Sequence, residues 1–159
     1  MATISTSYGT SGVAMTITIA SMGSTSAQSC VAINNTTTLF LDAVVQVKVK
    51  TNAAGTTATG LVNIYAYGSA DGGTTYPEGA GTNASVTMTV PTNLILVGQI
   101  NAVANATTYV GNTVSIAAAF GGVLPAFWGI VIENLTGAAL DSTAGNHFAK
   151  YQGIFATSV

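Results

Sequence analysis

The chain has 159 residues, of which 48% are hydrophobic and only 5% are charged. This length is enough for one domain with a substantial core, and because a typical soluble domain has about 25% charged residues, uncharged polar residues must supply most of the surface polarity. With three lysines, no arginine and a formal net charge of −2, the chain is not expected to bind nucleic acid, since neutralising phosphates needs several cationic side chains.

The predicted elements begin with a small, polar stretch over residues 1–12, which predicts a flexible or partner-bound N-terminal arm. Residues 13–159 follow as a single predicted domain, in which apolar and polar residues alternate as they do in strands. The alternating segments are 15–19, 45–50, 61–67, 86–90, 94–100, 114–119, 127–132 and 147–155. No segment has a helical period, so we predict an all-β fold: an antiparallel sandwich of about eight strands, resembling a jelly roll.

Two of these segments predict which side chains are buried. The valines of segment 45–50 should face the core, with Lys48 and Lys50 in water. In segment 127–132, Trp128 shares one face with the two isoleucines that follow it at alternate positions. We therefore expect Trp128 to be a core residue.

Residues 114–132 form an uncharged run about as long as the ~20 residues of a membrane-spanning helix. Gly121, Gly122 and Pro125 interrupt this run, and the flanking cationic anchors of a span are missing. We therefore predict two buried strands joined by a Gly-Gly-x-x-Pro turn, and no membrane contact.

Catalytic chemistry has few candidates. Cys30 is the only cysteine, so no internal disulfide is possible, and it is expected to be a small buried side chain. The only histidine, His147, could be combined with Asp141 and Ser142, but no nucleophile-elbow motif surrounds the serine. One histidine and one cysteine also fall short of a transition-metal site. We predict no catalytic residue, no cofactor and no metal.

The loop over residues 68–81 follows an alternating segment and carries Asp71, Tyr76 and Glu78. Its Gly-Gly pair is similar to a phosphate-binding loop, but no Gly-Lys-Ser/Thr follows. The two acids stand too far apart in sequence, with too few oxygen ligands between them, for a calcium loop. We predict a strand-to-strand loop whose three named side chains are candidates for contact with a neighbouring protein or with water.

Three stretches resemble small all-β virion proteins of tailed bacteriophages. They are YGSADGGTTYPEG at 67–79, FGGVLPAFWGIVIENLTGAAL at 120–140 and KYQGIFATSV at 150–159, so the resemblance covers roughly residues 60–159. It implies a jelly-roll-like sandwich that assembles on the particle, often as a trimer on the exterior of the head. It defines no functional residue.

The expected function is therefore that of a virion structural protein, specifically a head decoration (cement) protein on the particle surface. Its expected partners are the major capsid protein or other virion subunits, and further copies of itself in a homotrimer. The alternatives are a tail, neck or fibre-base component of the virion, or a carbohydrate-binding jelly-roll module or adhesin. Tyr65, Tyr67 and Tyr76, close to one another in sequence, are the feature that favours sugar binding.

Overall fold

The computed structural model describes residues 3–158. The fold is all-β, and two antiparallel sheets pack against each other as a jelly-roll-like β-sandwich, as the alternating pattern predicts. Helical structure in the described part of the chain is restricted to short 3-10 turns at Pro77–Gly79, Ala117–Phe120 and Ala144–Asn146.

Twelve strands are present in residues 3–158, and four of them are only two residues long. The strands are β1 (Ile4–Tyr8), β2 (Val13–Ala14), β3 (Ser26–Ser29), β4 (Ile33–Asn34), β5 (Asp42–Lys50), β6 (Leu61–Ser69), β7 (Ser85–Val86), β8 (Ile95–Asn101), β9 (Thr108–Val110), β10 (Val114–Ser115), β11 (Phe127–Leu135) and β12 (Phe148–Ser158).

Each sheet contains six strands. Sheet A has the order β1-β12-β5-β10, with β2 beside β12 and β9 beside β5. Sheet B has the order β7-β3-β11-β6-β8, with β4 beside β11. Because β6 and β7 lie on opposite sides of β11 and β3, the connection between them has to cross sheet B.

The core lies between the sheets, and both predictions of core side chains are confirmed. Burial alternates along β5, with its valines at 45, 47 and 49 buried and the lysines between them partly exposed. On sheet B, Trp128 is fully buried and packs edge-on against Tyr151 of sheet A, with ring centroids 5.4 Å apart and an interplanar angle of 89°. This contact joins the two layers.

Five long strands, β5, β6, β8, β11 and β12, lie where alternation predicts them. Residues 15–19 also alternate in burial, but their backbone is extended without forming a strand. Of segment 86–90 only Val86 is in a strand, and segment 114–119 divides into β10 and the start of a 3-10 helix. These three segments are shorter or less regular than predicted because no neighbouring strand of the described residues pairs with them over their full length.

The N-terminal stretch differs from the predicted arm. Residues 4–8 form β1, which pairs with β12 in continuous register from Ile4 opposite Ser158 to Tyr8 opposite Ile154. This part of the predicted arm is therefore an ordered strand at the edge of sheet A, while residues 1 and 2 lie outside the described residues.

Residues 114–132, considered above as a membrane segment, fold as β10, a 3-10 turn and the first part of β11. Within residues 3–158, none of the helices has the length and apolarity needed to cross a bilayer.

Candidate functional site

The loop between β6 and β7 lies over the outer face of sheet B. Tyr76 of this loop packs edge-on against Tyr67 of β6, with ring centroids 5.3 Å apart. The backbone of Gly81 accepts a hydrogen bond from Ala32 N–H at 2.9 Å and donates one to Ser29 Oγ at 3.1 Å. The predicted strand-to-strand loop is thus a crossing loop that covers the outer side of β11 and β3.

Asp71 holds the first half of this loop in shape. Its carboxylate accepts hydrogen bonds from Thr74 N–H at 2.9 Å and from Thr75 N–H at 3.1 Å, and also from the hydroxyls of Ser69 and Thr75. The hydrogen bond from the Ser69 hydroxyl is the largest of the effects that lower the pKa of Asp71 far below its ordinary value. Asp71 is therefore ionised at neutral pH and bonded to its own loop.

Glu78 holds the second half of the loop to a different segment. Its carboxylate accepts hydrogen bonds from Thr89 Oγ1 at 2.6 Å, Asn93 N–H at 2.9 Å and Thr92 Oγ1 at 3.1 Å. These bonds lower the pKa of Glu78 from 4.5 to about 2, and the side-chain bond from Thr89 has the largest effect. The residue adopts φ +57°, in the left-handed region that non-glycine residues seldom enter, and the bonds to segment 89–93 hold it there.

The three candidate residues of the loop therefore have separate local partners. Asp71 bonds within the loop, Glu78 bonds to segment 89–93, and Tyr76 is half-buried on Tyr67. Within residues 3–158, no group of three or more histidine, cysteine, aspartate or glutamate side chains could hold a metal ion.

A polar cluster on the open part of the same face was not identified from the sequence. Glu133 Oε2 accepts hydrogen bonds from Asn63 Nδ2 at 2.9 Å and from Tyr65 OH at 3.0 Å, and Gln99 Nε2 donates to Asn63 Oδ1 at 2.8 Å. The signal was available in principle, because β6 and β11 pair with Asn63 opposite Glu133. Finding it required the register of the two strands, which alternation alone does not give.

His147 and Asp141 contact each other, but not as a catalytic pair. The Nδ1 atom of His147 accepts a hydrogen bond from Lys50 N–H at 3.3 Å, so its Nε2–H donates to the main-chain carbonyl of Asp141 at 2.9 Å. The carboxylate of Asp141 instead accepts from Thr143 N–H and Asn146 Nδ2. These bonds close the turn that leads into β12.

Cys30 and Tyr67 form a buried polar contact under the crossing loop. Tyr67 OH donates to the carbonyl of Cys30 at 2.7 Å, and Ile130 N–H lies 3.2 Å from Cys30 Sγ. Burial raises the pKa of the thiol and also that of the phenol. The expectation that Cys30 is a small buried side chain is confirmed, since it is fully inaccessible.

All three lysines lie on the outer face of sheet A. Lys48 is directly opposite Phe148, and the ammonium groups of Lys48 and Lys150 are each 5.1 Å from the centroid of its ring. Lys50 makes an ion pair with Asp141 at 3.4 Å. Within residues 3–158, neither Lys48 nor Lys150 forms an ion pair with a carboxylate. We call Lys48, Phe148 and Lys150 the basic cluster.

The two outer faces therefore differ in charge. Sheet A presents the basic cluster, whereas Asp71, Glu78 and Glu133 lie on the sheet B side, in the crossing loop and on β11. Large apolar side chains are exposed as well: at least eleven are found in the described part of the chain. They are Ile4, Tyr8, Val31, Leu39, Leu41, Val90, Ile95, Leu96, Val103, Val110 and Val123.

Comparison with protein-family models, with curated proteins and with solved structures found no match for this chain.

Proposed function

We propose that this chain is a structural protein of a tailed-bacteriophage particle, and that it decorates the exterior of the head as a cement protein. The observation that carries the proposal is the surface of the sandwich, which exposes at least eleven large apolar side chains in its described part, in a chain with only three lysines and five acids. Such a surface has little charge repulsion to keep copies apart.

A surface that combines few charges with exposed apolar side chains is compatible with coverage by neighbouring proteins. In the proposed arrangement, these neighbours are the major capsid protein or other virion subunits, together with further copies of the chain in a homotrimer. The hydrogen-bonded loops support a structural role, because Asp71 and Glu78 stabilise local backbone geometry instead of converging on a ligand.

The basic cluster identifies the face that we propose to meet the shell. Lys48 and Lys150 carry charge that no described carboxylate neutralises, and Phe148 between them supplies apolar area. Acidic side chains on the shell would pair with these ammonium groups and add specificity to the apolar contact.

The first experiment has two steps. Mass spectrometry identifies tailed-phage particles whose purified virions contain peptides of this chain, and cryo-EM then maps those particles. We expect density for a twelve-stranded sandwich on the head, with sheet A toward the shell. Density restricted to the tail, neck or fibre base would keep the chain in the virion and overturn decoration. Absence of its peptides from purified virions would overturn the proposal.

A rebinding assay tests the shell-facing surface. Particles stripped of this protein are incubated with the purified chain, and bound protein is measured after sedimentation. Lys48→Gln combined with Lys150→Gln should reduce binding about tenfold, since close charge pairs at interfaces contribute on the order of 1.5 kcal/mol or more. Lys50→Gln is the matched control because Asp141 already pairs with that lysine. Equal loss in both variants, or no loss in the double variant, would show that the basic cluster is not specifically used.

Carbohydrate binding is a second candidate, favoured by the polar cluster on sheet B. Glu133 receives both of its side-chain hydrogen bonds at Oε2, which leaves Oε1 free, within the described residues, to accept from a sugar hydroxyl. Tyr67 is buried and cannot stack on a sugar ring. A glycan array that gives a hit with the unmodified chain, lost in both Glu133→Gln and Tyr76→Ala, would favour this function; an array without hits would remove it.

A further inference from the structure

The β1 strand has an open hydrogen-bonding edge. Gly9 N–H donates to the Gly153 carbonyl at 2.8 Å, at the end of the β1–β12 ladder. Since backbone groups of successive residues point to opposite sides of a strand, the groups of Ser5 and Ser7 also point toward β12. Those of Ile4, Thr6 and Tyr8 therefore point away from the sheet, and no described strand pairs with them there.

The pairing of β12 with its other neighbour agrees with this assignment. Leu41 N–H donates to the Ile154 carbonyl at 2.7 Å. The backbone N–H and C=O groups of even-numbered residues of β12 therefore point toward β5, and those of odd-numbered residues point toward β1. The ladder from Ile4 to Tyr8 has no register shift. The open edge is thus regular over five residues.

This edge has none of the features that usually prevent strands from pairing. Its sequence, Ile-Ser-Thr-Ser-Tyr, has no charged residue and no proline, and the strand is not bulged. Ile4 is 77% exposed and Tyr8 is 67% exposed. Both lie on the outer face of sheet A, because they stand opposite Ser158 and Ile154, which share the face of Phe148 on β12.

We propose that β1 pairs with β1 of a second copy of the chain, antiparallel and centred on Thr6. A two-fold axis at Thr6 places Ile4 opposite Tyr8 of the partner subunit, and Tyr8 opposite Ile4 of the partner subunit. The outward groups of Ile4, Thr6 and Tyr8 then make hydrogen bonds at all three positions. The two exposed apolar side chains form aromatic–β-branched cross-strand pairs, a favourable combination on a sheet.

The pairing joins the two A sheets into one continuous sheet. A two-fold axis perpendicular to the sheet leaves both outer faces on the same side, so the two basic clusters also lie on that side. A five-residue edge is small compared with the roughly 1,000 Å² of a stable interface. The pair is therefore weak in dilute solution and is favoured where copies are concentrated on a surface.

This inference does not depend on the proposed function. A two-fold contact of this kind forms between any two copies, including copies that belong to different trimers. If the chain were absent from phage particles, the pairing test below would be unaffected.

Thr6→Cys tests the register directly. In the proposed pair, residue 6 stands directly opposite residue 6 of the second copy, at a hydrogen-bonded position. Cα atoms at such a position are about 5.5 Å apart, which is within the range of a disulfide. Cys30 is buried and does not compete. Ser5→Cys is the control, because position 5 opposes Ser7 of the partner subunit on the opposite face. At high protein concentration under mild oxidation we expect a disulfide-linked dimer of Thr6→Cys, at least tenfold above that of Ser5→Cys.

Thr6→Pro provides an independent test without a cross-link. Proline removes the outward N–H of residue 6 and leaves the ladder to β12 complete, which is where edge strands tolerate proline. Sedimentation velocity over a range of concentrations should show association of the unmodified chain that Thr6→Pro lacks, with unchanged circular dichroism. Equal association of the two chains, or equal cross-linking of the two cysteine variants, would overturn the proposal.

Discussion

At the scale of single residues, this chain uses its few charges to hold loops in place. The carboxylate of Asp71 orders the start of the crossing loop, and that of Glu78 connects the loop to segment 89–93. Hydrogen bonds to both carboxylates, from Ser69 first at Asp71 and from Thr89 first at Glu78, lower their pKa values. Their effect on stability should therefore depend on pH.

Glu78→Gln tests this dependence. The pKa of Glu78 is about 2 in the folded chain, against an ordinary value of 4.5. A lowered folded pKa contributes stability that is complete above pH 4.5 and is lost as pH falls toward 2. We expect the variant to melt below the unmodified chain at pH 7, with the difference shrinking by about pH 2.5. Thermal melts at the two pH values measure it; a difference that is constant with pH would contradict the assignment.

Gly129 shows how tightly the outer side of β11 is packed. A Cβ atom at this position would overlap Tyr67 OH and lie 2.8 Å from Cys30 Sγ, both under the crossing loop. Gly129→Ala should therefore destabilise the fold by about 1–3 kcal/mol, the usual range for overpacking. Gly145→Ala is the control, since nothing lies within 4 Å of the position that its methyl group would occupy. Urea unfolding of both variants decides; equal stabilities would contradict this packing.

At the scale of elements, the stretch ENLTGAAL that contributes to the phage resemblance forms the end of β11 and the turn that follows it. Asn134 is fully buried, and its Nδ2 donates to the carbonyls of Met22 at 2.9 Å and Ala138 at 2.8 Å. Its Oδ1 accepts from Thr136 N–H at 3.0 Å and Thr136 Oγ1 at 2.7 Å. Gly137 follows at φ +89°, which glycine adopts readily. The motif thus has a structural explanation.

Asn134→Ala should be among the more damaging polar substitutions in the chain. It leaves the buried Thr136 N–H without its partner, and an unsatisfied buried group costs about 1–3 kcal/mol. The carbonyls of Met22 and Ala138 each lose one of two donors and keep Leu140 N–H and Thr136 Oγ1. We expect a loss of about 1–3 kcal/mol in the free energy of unfolding. Asn101→Ala, at an exposed position of β8, should change it little. Denaturant unfolding of the pair measures the contrast, and a small effect at Asn134 would show that water replaces the amide.

The elements also show what alternation can and cannot predict. The long strands β5 and β11 were predictable because one of their faces is uniformly apolar over many residues. The strand β3, Ser-Ala-Gln-Ser, has no such pattern and exists because β11 and β7 pair with it on either side. Strand β1 is also mostly polar, so its sequence predicts an arm. It is a strand because β12 pairs with it. Pairing partners determine such strands, and a local pattern does not contain them.

The candidate loop follows the same rule. Its position after β6 and its turn residues were evident from the sequence, and Asp71, Tyr76 and Glu78 do lie in it. What each side chain contacts depends on segments far away in sequence, such as 89–93 for Glu78. The cluster around Glu133 was missed for this reason too, because it requires the register between β6 and β11.

At the scale of the whole molecule, charge is distributed unevenly between the two sheets. The lysines are on the outer face of sheet A together with Asp42 of β5 and Asp141, which pairs with Lys50, whereas the other three acids are on the sheet B side. The proposed β1 pairing preserves this distribution, because it keeps both basic clusters on one side of the joined sheet. In the proposed orientation, with sheet A against the shell, the more acidic sheet B side would face solvent.

The whole sandwich should unfold in one step. Trp128 of sheet B packs on Tyr151 of sheet A, and the buried valines of β5 belong to the same core, so neither sheet keeps its apolar face covered without the other. Single domains of this size usually unfold cooperatively. Trp128 is the only tryptophan, so its fluorescence reports the contact between the sheets, while far-ultraviolet circular dichroism reports the strands. We expect the two urea transitions to coincide. An earlier fluorescence transition would show that the sheets separate before their strands unfold.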